Sequence, residues 1–448
     1  MATETFGTYK KALSINLDTT IFGAFAEIGA GQETSRWFLR VGAASGTVAK
    51  TISAYDKVVS DDLYGTGERY VSKQRLEAML NAEWLALQRQ LAERPGTRTF
   101  VFANTVSARN YSGTNLCHGW VGLRFLSSPE SEANEIILHV NLYDRTNISQ
   151  QEVLGILGVN LIYAAYFELE SDQNFLAALG HDLGLERIQI DFIETRGHPL
   201  GEWDHRELLI SLVAGGLSEA TVLSCADRHR PMHEVFYKAP VVIEPGTFEK
   251  RERIHTEMLG VALEYSQLKR PGETRGPLGL FCLSAKQSDN RDVPLLSSAE
   301  LSMRANALLT EGFDVLVTLH RELYKMSALI SRFTKEEIRF VVGLSVLIKL
   351  LAASYAELQG SILESLSRLF TQTVLVYVYP MTLAVLQSKV TAEQSAGWTI
   401  NNTGALLMAD DITPPLPLGH LYAYLLASGL IEPLRLVKSE SLPVAATS

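Results

Sequence analysis

The chain has 448 residues, 46% of them hydrophobic and 20% charged, so it is long enough for two cores and too apolar to be disordered. Lys plus Arg number 40 against 50 Asp plus Glu, a formal net charge of -10 with no basic block, which argues against a nucleic-acid backbone as partner. Cys117, Cys225 and Cys282 are dispersed and form no CxxC pair, which argues against a cysteine zinc site or a disulfide framework.

In chain order, the first residues lack the basic start and apolar core of a secretory signal. Residues 22–28 (FGAFAEI) fit a buried strand and 32–41 a helix. Helical spacing resumes over 72–93, with Leu76, Met79, Leu80, Trp84 and Leu87 on one face and Arg94-Pro95-Gly96 as the stop. Strands are expected at 99–103, 119–125 and 135–142, paired antiparallel. Residues 150–167 are apolar on nearly every face and read as a buried helix, in which Gly155 and Gly158 permit close packing. A strand at 187–193, a helix at 207–215 and a short strand at 220–224 continue the alternation.

A helix over 249–268 and the turn-rich segment 269–277 (KRPGETRGP) suggest a boundary. Strands at 278–283, 313–318, 337–343 and 373–379 then alternate with helices, the pattern of a parallel sheet covered on both faces. The longest apolar stretch, 340–353, is broken by Gly343 and Lys349, so no membrane span is expected. The expected fold class is α/β: an N-terminal mixed-sheet domain over 1–248, a linking helix and connector over 249–277, and a parallel-sheet, Rossmann-like domain over 278–448. That last domain carries a C-terminal helical appendage, and its tail 438–448 should be disordered. A cytoplasmic location fits this composition.

Two stretches could carry chemistry in the first domain. Strand, Gly29-Ala30-Gly31 and helix is an arrangement that offers backbone N–H groups to an anion. The third glycine of a dinucleotide fingerprint would fall at Thr34, and no Gly-Lys-Ser/Thr follows, so a ligand loop built on Glu27, Gly29, Gly31 and Gln32 competes with a plain structural turn. The second stretch, 50–70 (KTISAYDKVVSDDLYGTGERY), gathers charges and rings around Gly65 and Gly67. Lys50 and Arg69 could hold an anionic group, Asp56 and Asp61 offer hard oxygens suited to Mg2+, and Ser53, Tyr55 or Tyr64 could orient a ligand. The alternative is a surface loop whose charges pair internally.

Two further groups are weaker. His118, Trp120, Arg124 and His139, with Asn104, Arg109 and Asn110, could bind a flat anion, although His139 is better explained as a sheet histidine with a satisfied ring. Asp191, Glu194, His198, Asp204, His205 and Arg206 mix carboxylates with imidazoles, but their spacing matches no metal pattern and a solvated loop is the expectation.

The runs FGAFAEIGAGQE, AKTISAYDKVVSDDLYG, FVFANTVSARN, CHGWVGLRF, ILHVNLYD, QQEVLGILGVNLIYAAY and GSILESLSRLF resemble a widespread bacterial family of two-domain proteins of uncharacterised function. The similarity spans roughly 13–434 and implies a two-domain fold without implying a reaction. Members carry the labels TonB-dependent receptor or nicotinate-nucleotide adenylyltransferase, and neither agrees with these residues. The first needs an export signal and on the order of twenty alternating membrane strands. The second needs a His-x-Gly-His loop, whereas His229 and His233 enclose Arg-Pro-Met. Leu319-His320 stands where the family resemblance implies Ser-Asn, and the glycine–proline punctuation near Leu344 is missing, as in a divergent paralogue.

Two functions follow. One is binding of a phosphorylated or nucleotide-like small molecule in the N-terminal domain. The other is a non-catalytic scaffold, a homo-oligomer or partner of a paralogue, with an interface on the apolar helices of 150–167 and 346–369.

Overall fold

The structure, a computed structural model, describes all residues except 1–6, 30, 91–95, 251, 273–275, 288–292, 354, 356, 372, 403 and 436–448. The expected helix stop at Arg94-Pro95, Ala30 of the glycine turn, part of the 269–277 connector and the tail 438–448 lie outside the described residues. The chain is α/β throughout and divides into two compact units, Met1–Thr221 and Val222–Ser448.

The first unit runs α1 (Thr8–Leu17), β1 (Ile21–Ile28), α2 (Glu33–Val41), β2 (Val48–Ile52), α3 (Lys57–Tyr64), α4 (Lys73–Gln90), β3 (Arg98–Ser107), β4 (His118–Leu126), β5 (Ala133–Leu142), α5 (Asn147–Phe167), α6 (Asp172–Leu179), β6 (Ile188–Arg196) and α7 (His205–Ala214). Its sheet has the order β2-β1-β3-β4-β5-β6. The first three strands are parallel and the rest antiparallel, as the short turns after β3 and β4 require.

Alternate strand residues face alike. Phe25 of β1 therefore looks to one side, where its ring lies 5.1 Å from Phe38 of α2 and 5.3 Å from Phe100. Ala24 and Ala26 look to the other, into the cluster of Leu76, Met79 and Leu80 from α4. Burying each such ring stabilises the unit by about 1.5–3 kcal/mol.

Helix α5 is apolar all round because α1, α2 and α6 pack against it, and Val153, Leu157, Leu161 and Ile162 are buried within the unit. This corrects the expectation of an assembly interface on that helix: its apolar surface is spent inside the unit. A Cβ on Gly155 would lie 3.0 Å from Glu33 Cβ, and one on Gly158 would lie 2.3 Å from Thr34 Oγ1, so the two glycines set how closely α2 approaches.

The boundary also differs from expectation. A four-residue apolar strand such as β7 (Ala220–Leu223) does not declare by its sequence which sheet it joins. It lies at the edge of a second sheet, and β8 (Val241–Gly246) lies inside that sheet, so the residues following Thr221 leave the first unit rather than extending it to 248.

The second unit continues with α8 (Met232–Val235), α9 (Arg253–Leu268), β9 (Leu278–Ser284), α10 (Ser298–Leu309), β10 (Asp314–Thr318), α11 (Leu323–Ile330), β11 (Ile338–Gly343), α12 (Leu344–Ala352), α13 (Ser361–Leu369) and β12 (Val374–Tyr379). After α14 (Leu383–Lys389), a two-stranded ribbon, β13 (Thr399–Ile400) with β14 (Ile412–Thr413), leads to α15 (Leu418–Ala427) and β15 (Ile431–Pro433). The sheet order is β15-β12-β11-β8-β9-β10-β7, with parallel pairing from β15 through β10. Helix α9, expected as a linker, packs on β8 and β9 and is a layer of this unit. Ser297 and Glu300 form a capping box at the start of α10. No helix among the described residues is long and apolar enough to cross a membrane.

Candidate functional site

The parallel strands end together. Register pairs Ile28 of β1 with Thr105 of β3 and Ala26 with Ile52 of β2, so the segments after Ile28, Ile52 and Ser107 leave one edge of the sheet. The glycine turn is the tightest of them. Gly29 has φ +96°, and a Cβ there would stand 1.9 Å from the Val106 carbonyl oxygen, so both backbone conformation and the approach to β3 demand glycine. Gly31 has φ +85° and lies beside the Gln151 side chain.

Glu27 decides how that turn is used. Its carboxylate is buried and accepts the backbone N–H of Thr34 at 3.2 Å and of Ser35 at 3.0 Å, and the Asn104 amide at 3.1 Å. Ser35 Oγ donates to the Gln32 carbonyl at 3.1 Å and lies 3.1 Å from Thr51 Oγ1. The partial positive charge at the start of α2 is thus met by a glutamate from the preceding strand. Burial pushes the Glu27 carboxyl above its ordinary range, against the pull of the Ser35 and Thr34 hydrogen bonds. The Thr34 and Ser35 N–H groups that would hold a phosphate in a nucleotide loop are already occupied.

The 50–70 segment forms an edge strand and a helix rather than a loop. Asp56 caps α3, accepting the N–H of Val58 at 2.9 Å and of Val59 at 3.2 Å. Asp61 accepts from Tyr70 Oη at 2.9 Å and from Arg75 Nη2 at 2.9 Å. Tyr64 donates to Glu83 at 2.9 Å, and Lys50 pairs with the same buried glutamate. Burial and Glu83 beside it push the Tyr64 hydroxyl well above the usual phenol range. Ser53, Tyr55 and Arg69 are exposed, with Tyr55 at 79%.

The predicted set therefore does not converge on one pocket. Glu27 shares the α2 side of the sheet with Phe25, whereas Lys50, Tyr64 and Asp61 engage Glu83 and Arg75 of α4 on the other. A magnesium ion does not fit Asp56 and Asp61, because one carboxylate is a helix cap and the other carries a guanidinium. Among the described residues, no three ligand-bearing side chains of this segment come together.

On the α4 face at the same edge the structure joins Asp191 to His118, Trp120 and His139, which the sequence had grouped without it. His118 opens β4 opposite Ser107, the last residue of β3, and His139 of β5 lies opposite Trp120. In β6 the register passes from Phe192 to Ile190 across consecutive residues of β5, so Asp191 is the extra residue of a bulge. Bulges re-aim side chains. Asp191 Oδ1 lies 2.5 Å from His139 Nδ1, and both side chains are completely buried. His139 Nε2 lies 2.9 Å from His118 Nδ1. Trp120 stands edge-on to the His139 ring at 5.0 Å and to Phe192 at 5.6 Å.

Burial and then the neighbouring His139 lower the His118 pKa to about 4, with Arg69 adding to the effect and Asp191 opposing it. The Asp191 expectation is thereby corrected: it is a buried strand residue, not part of a solvated loop. Its former companions have ordinary roles. Asp204 caps α7 through the N–H groups of Arg206 and Glu207, Glu194 pairs with Lys73, and exposed His198 pairs with Glu202. Arg124 is paired with Glu135, and Arg109 donates its backbone N–H to Gln150. In the second unit Ser284 Oγ donates to the Lys286 carbonyl, and Thr318 is buried at the end of its strand.

No family model matches the chain, and no curated protein matches it. Solved structures are similar over about a third of it. The competence/damage-inducible protein CihA from Agrobacterium tumefaciens is 16% identical, with 37% of this chain and 99% of that one covered and a TM-score of 0.26. The competence or damage-inducible protein from Enterobacter asburiae is 14% identical over 36% of this chain and 99% of its own, at 0.26. A competence-damaged protein (CinA) superfamily protein from Escherichia coli is 15% identical over 37% and 90%, at 0.24. Likenesses of this strength carry no structural or functional conclusion.

Proposed function

We propose that the N-terminal unit binds a small molecule, phosphorylated or nucleotide-like, in the crevice at the carboxyl ends of β1 and β3. The observation that carries this is the strand order β2-β1-β3-β4. The connection leaving β1 turns toward β2 and the one leaving β3 turns toward β4, so the two part above the β1/β3 pair. Open α/β sheets bind ligands outside the carboxyl ends of their strands at such a switch point.

The residues around it suit an anionic, partly flat ligand. Gly31 and Gln32 would present backbone to it, and Ser53 and Tyr55 follow the end of β2. Arg69 would supply positive charge: its neighbour Tyr70 accepts the Thr105 hydroxyl of β3 at 2.6 Å, which keeps this segment at the crevice. The proposal uses neither the Thr34 and Ser35 N–H groups nor a metal ion.

Thermal-shift titration of the full chain with nucleoside phosphates and sugar phosphates at millimolar concentration tests the proposal, because binding to the native state raises the melting temperature. Arg69→Ala and Tyr55→Ala, both at exposed positions, are expected to leave the ligand-free melting temperature unchanged while weakening the response about tenfold. A flat response to every compound, or a shift that both variants retain, rejects it.

A further inference from the structure

We propose that the second unit carries a small-molecule site of its own, a cavity between α12 and α14 that takes a carboxylate with an aliphatic or aromatic body. The body lies on the apolar floor and the carboxylate between Lys349 and Lys389. This site does not rest on the ligand reading of the first unit.

Its position follows from the sheet. Strands β11 and β12 are parallel neighbours, with Gly343 opposite Tyr379, and α12 and α14 follow their carboxyl ends. Met381, just past β12, comes so near that its Cε would stand 3.1 Å from a Cβ on Gly343. The chain leaves β8 toward β9 and leaves β11 toward β12, so the connections part between β8 and β11, where open α/β sheets receive ligands. Lys389 at the end of α14 reaches Glu252, the residue before α9, at 3.6 Å. Helix α14 therefore extends from β12 toward the helix that leaves β8.

The cavity has a volume of about 380 Å³, the size of a small-molecule site. Ile348, Leu386 and Ile412 form a buried floor. Trp398 is one wall, edge-on to Tyr422 at 6.2 Å, and the Tyr422 hydroxyl is held by the Ala409 carbonyl at 2.6 Å. Leu383 and Ile400 also line the cavity, yet they are 41% and 43% exposed. A ribbon of two short strands such as β13 and β14 is too small to bury its own apolar side chains. Folding alone leaves this surface wet, and an apolar ligand body would remove it from water.

Charge selects the other end of the ligand. Lys349 follows Ile348 on α12, and Lys389 falls between the lining residues Gln387 and Val390. Burial lowers the Lys349 pKa, and the cations Arg321 and Lys389 lower it further. The Lys389–Glu252 pair is loose, with both side chains 46% exposed. A ligand carboxylate would relieve the repulsion among these cations, and an uncharged molecule of the same shape would not.

Isothermal titration calorimetry of the full chain with octanoate, and with octanol as its uncharged match, tests the proposal. Octanoate is expected to bind saturably and octanol at least about tenfold more weakly. Replacing both lysines, Lys349→Met with Lys389→Met, should bring octanoate down to the affinity of octanol. Ala392→Trp, at an exposed position lining the cavity, should fill it and abolish binding of both compounds. Ser395→Trp, at a second exposed lining position, makes the same test should Ala392→Trp not fold. No binding of octanoate to the wild type overturns the proposal, as does binding that the filled cavity retains or an equal affinity for octanol. A monomer–dimer equilibrium in sedimentation that Ala392→Trp abolishes would assign the cavity to a second copy of the chain and overturns it too. These variants all lie in the second unit, so failure here and failure of the thermal-shift panel with Arg69→Ala and Tyr55→Ala are separate results.

Discussion

The carboxylate of Glu27 accepts the backbone N–H of Ser35 at 3.0 Å, so strand β1 supplies the anion that helix α2 needs at its start. Glu27→Ala removes that anion and leaves the Thr34 and Ser35 N–H groups and the Asn104 amide buried without it. A loss of about 2–4 kcal/mol in unfolding free energy is expected from denaturant titration. A change well below 1 kcal/mol would mean that water replaces the carboxylate at no cost.

Close packing of α5 gives a second expectation. Gly158→Ala places a Cβ 2.3 Å from Thr34 Oγ1 and 2.9 Å from the Phe102 ring, and should cost about 1–3 kcal/mol. Gly29→Ala should cost more, because its clash is with a backbone oxygen that no rotamer change can move and its φ is +96°. Melting temperatures of the two variants would order them, and the reverse order would refute the geometry of the turn.

Lys11 ties α1 to the rest of the first unit by donating to Asn160 Oδ1 at 2.8 Å and to the Ala178 carbonyl at 3.0 Å. Burial lowers its pKa to about 8, against the pull of Asp182 and Glu168. Between about 8 and the ordinary 10.5 the unfolded chain holds more protons than the folded one, so this group makes stability rise with pH there. Lys11→Met should abolish that rise and lower stability at neutral pH. Urea titrations between pH 7 and pH 10.5 read both effects, and parallel profiles for the two proteins would contradict them.

Glu244 gives the opposite slope in the second unit. It is buried, 2.5 Å from His255 Nδ1, and burial raises its pKa to about 7, the histidine partly opposing. The folded chain therefore keeps this proton to a higher pH than the unfolded chain, whose carboxyl releases it near 4.5. The contribution is fully present below 4.5 and is lost as pH rises through about 7, a swing on the order of 3 kcal/mol. Relative to Glu244→Gln, the wild type should lose stability across that interval. An unchanged difference would show that the carboxyl titrates normally.

Legibility followed how conventionally each element buries its residues. The long strands and the second unit were readable because their apolar runs are buried, throughout β11 and from Leu280 on in β9. Helices α1 and α3 were not. The first buries Lys11 and Asn16, and the second exposes Val58, Val59 and Leu63 while burying Ser60, so neither shows the usual apolar face. Strand β2 lies at the sheet edge with little burial and leaves no alternation to read.

At the site, the residues of the glycine turn and of 50–70 were visible as types, but their partners were not. The carboxylates went to helix caps and to Arg75, and Lys50 went to Glu83 of a later helix. His139 and Asp191 are 52 positions apart, and strand periodicity does not reveal a bulge.

Strand β6 owes its part in the sheet's polar interior to a single surplus residue. Deleting Asp191 would bring Ile190 and Phe192 into uninterrupted pairing with β5 and leave the buried His139 ring without its carboxylate. An insertion or deletion between Ile188 and Phe192 would therefore be felt first as the loss of the buried contact between Asp191 and His139.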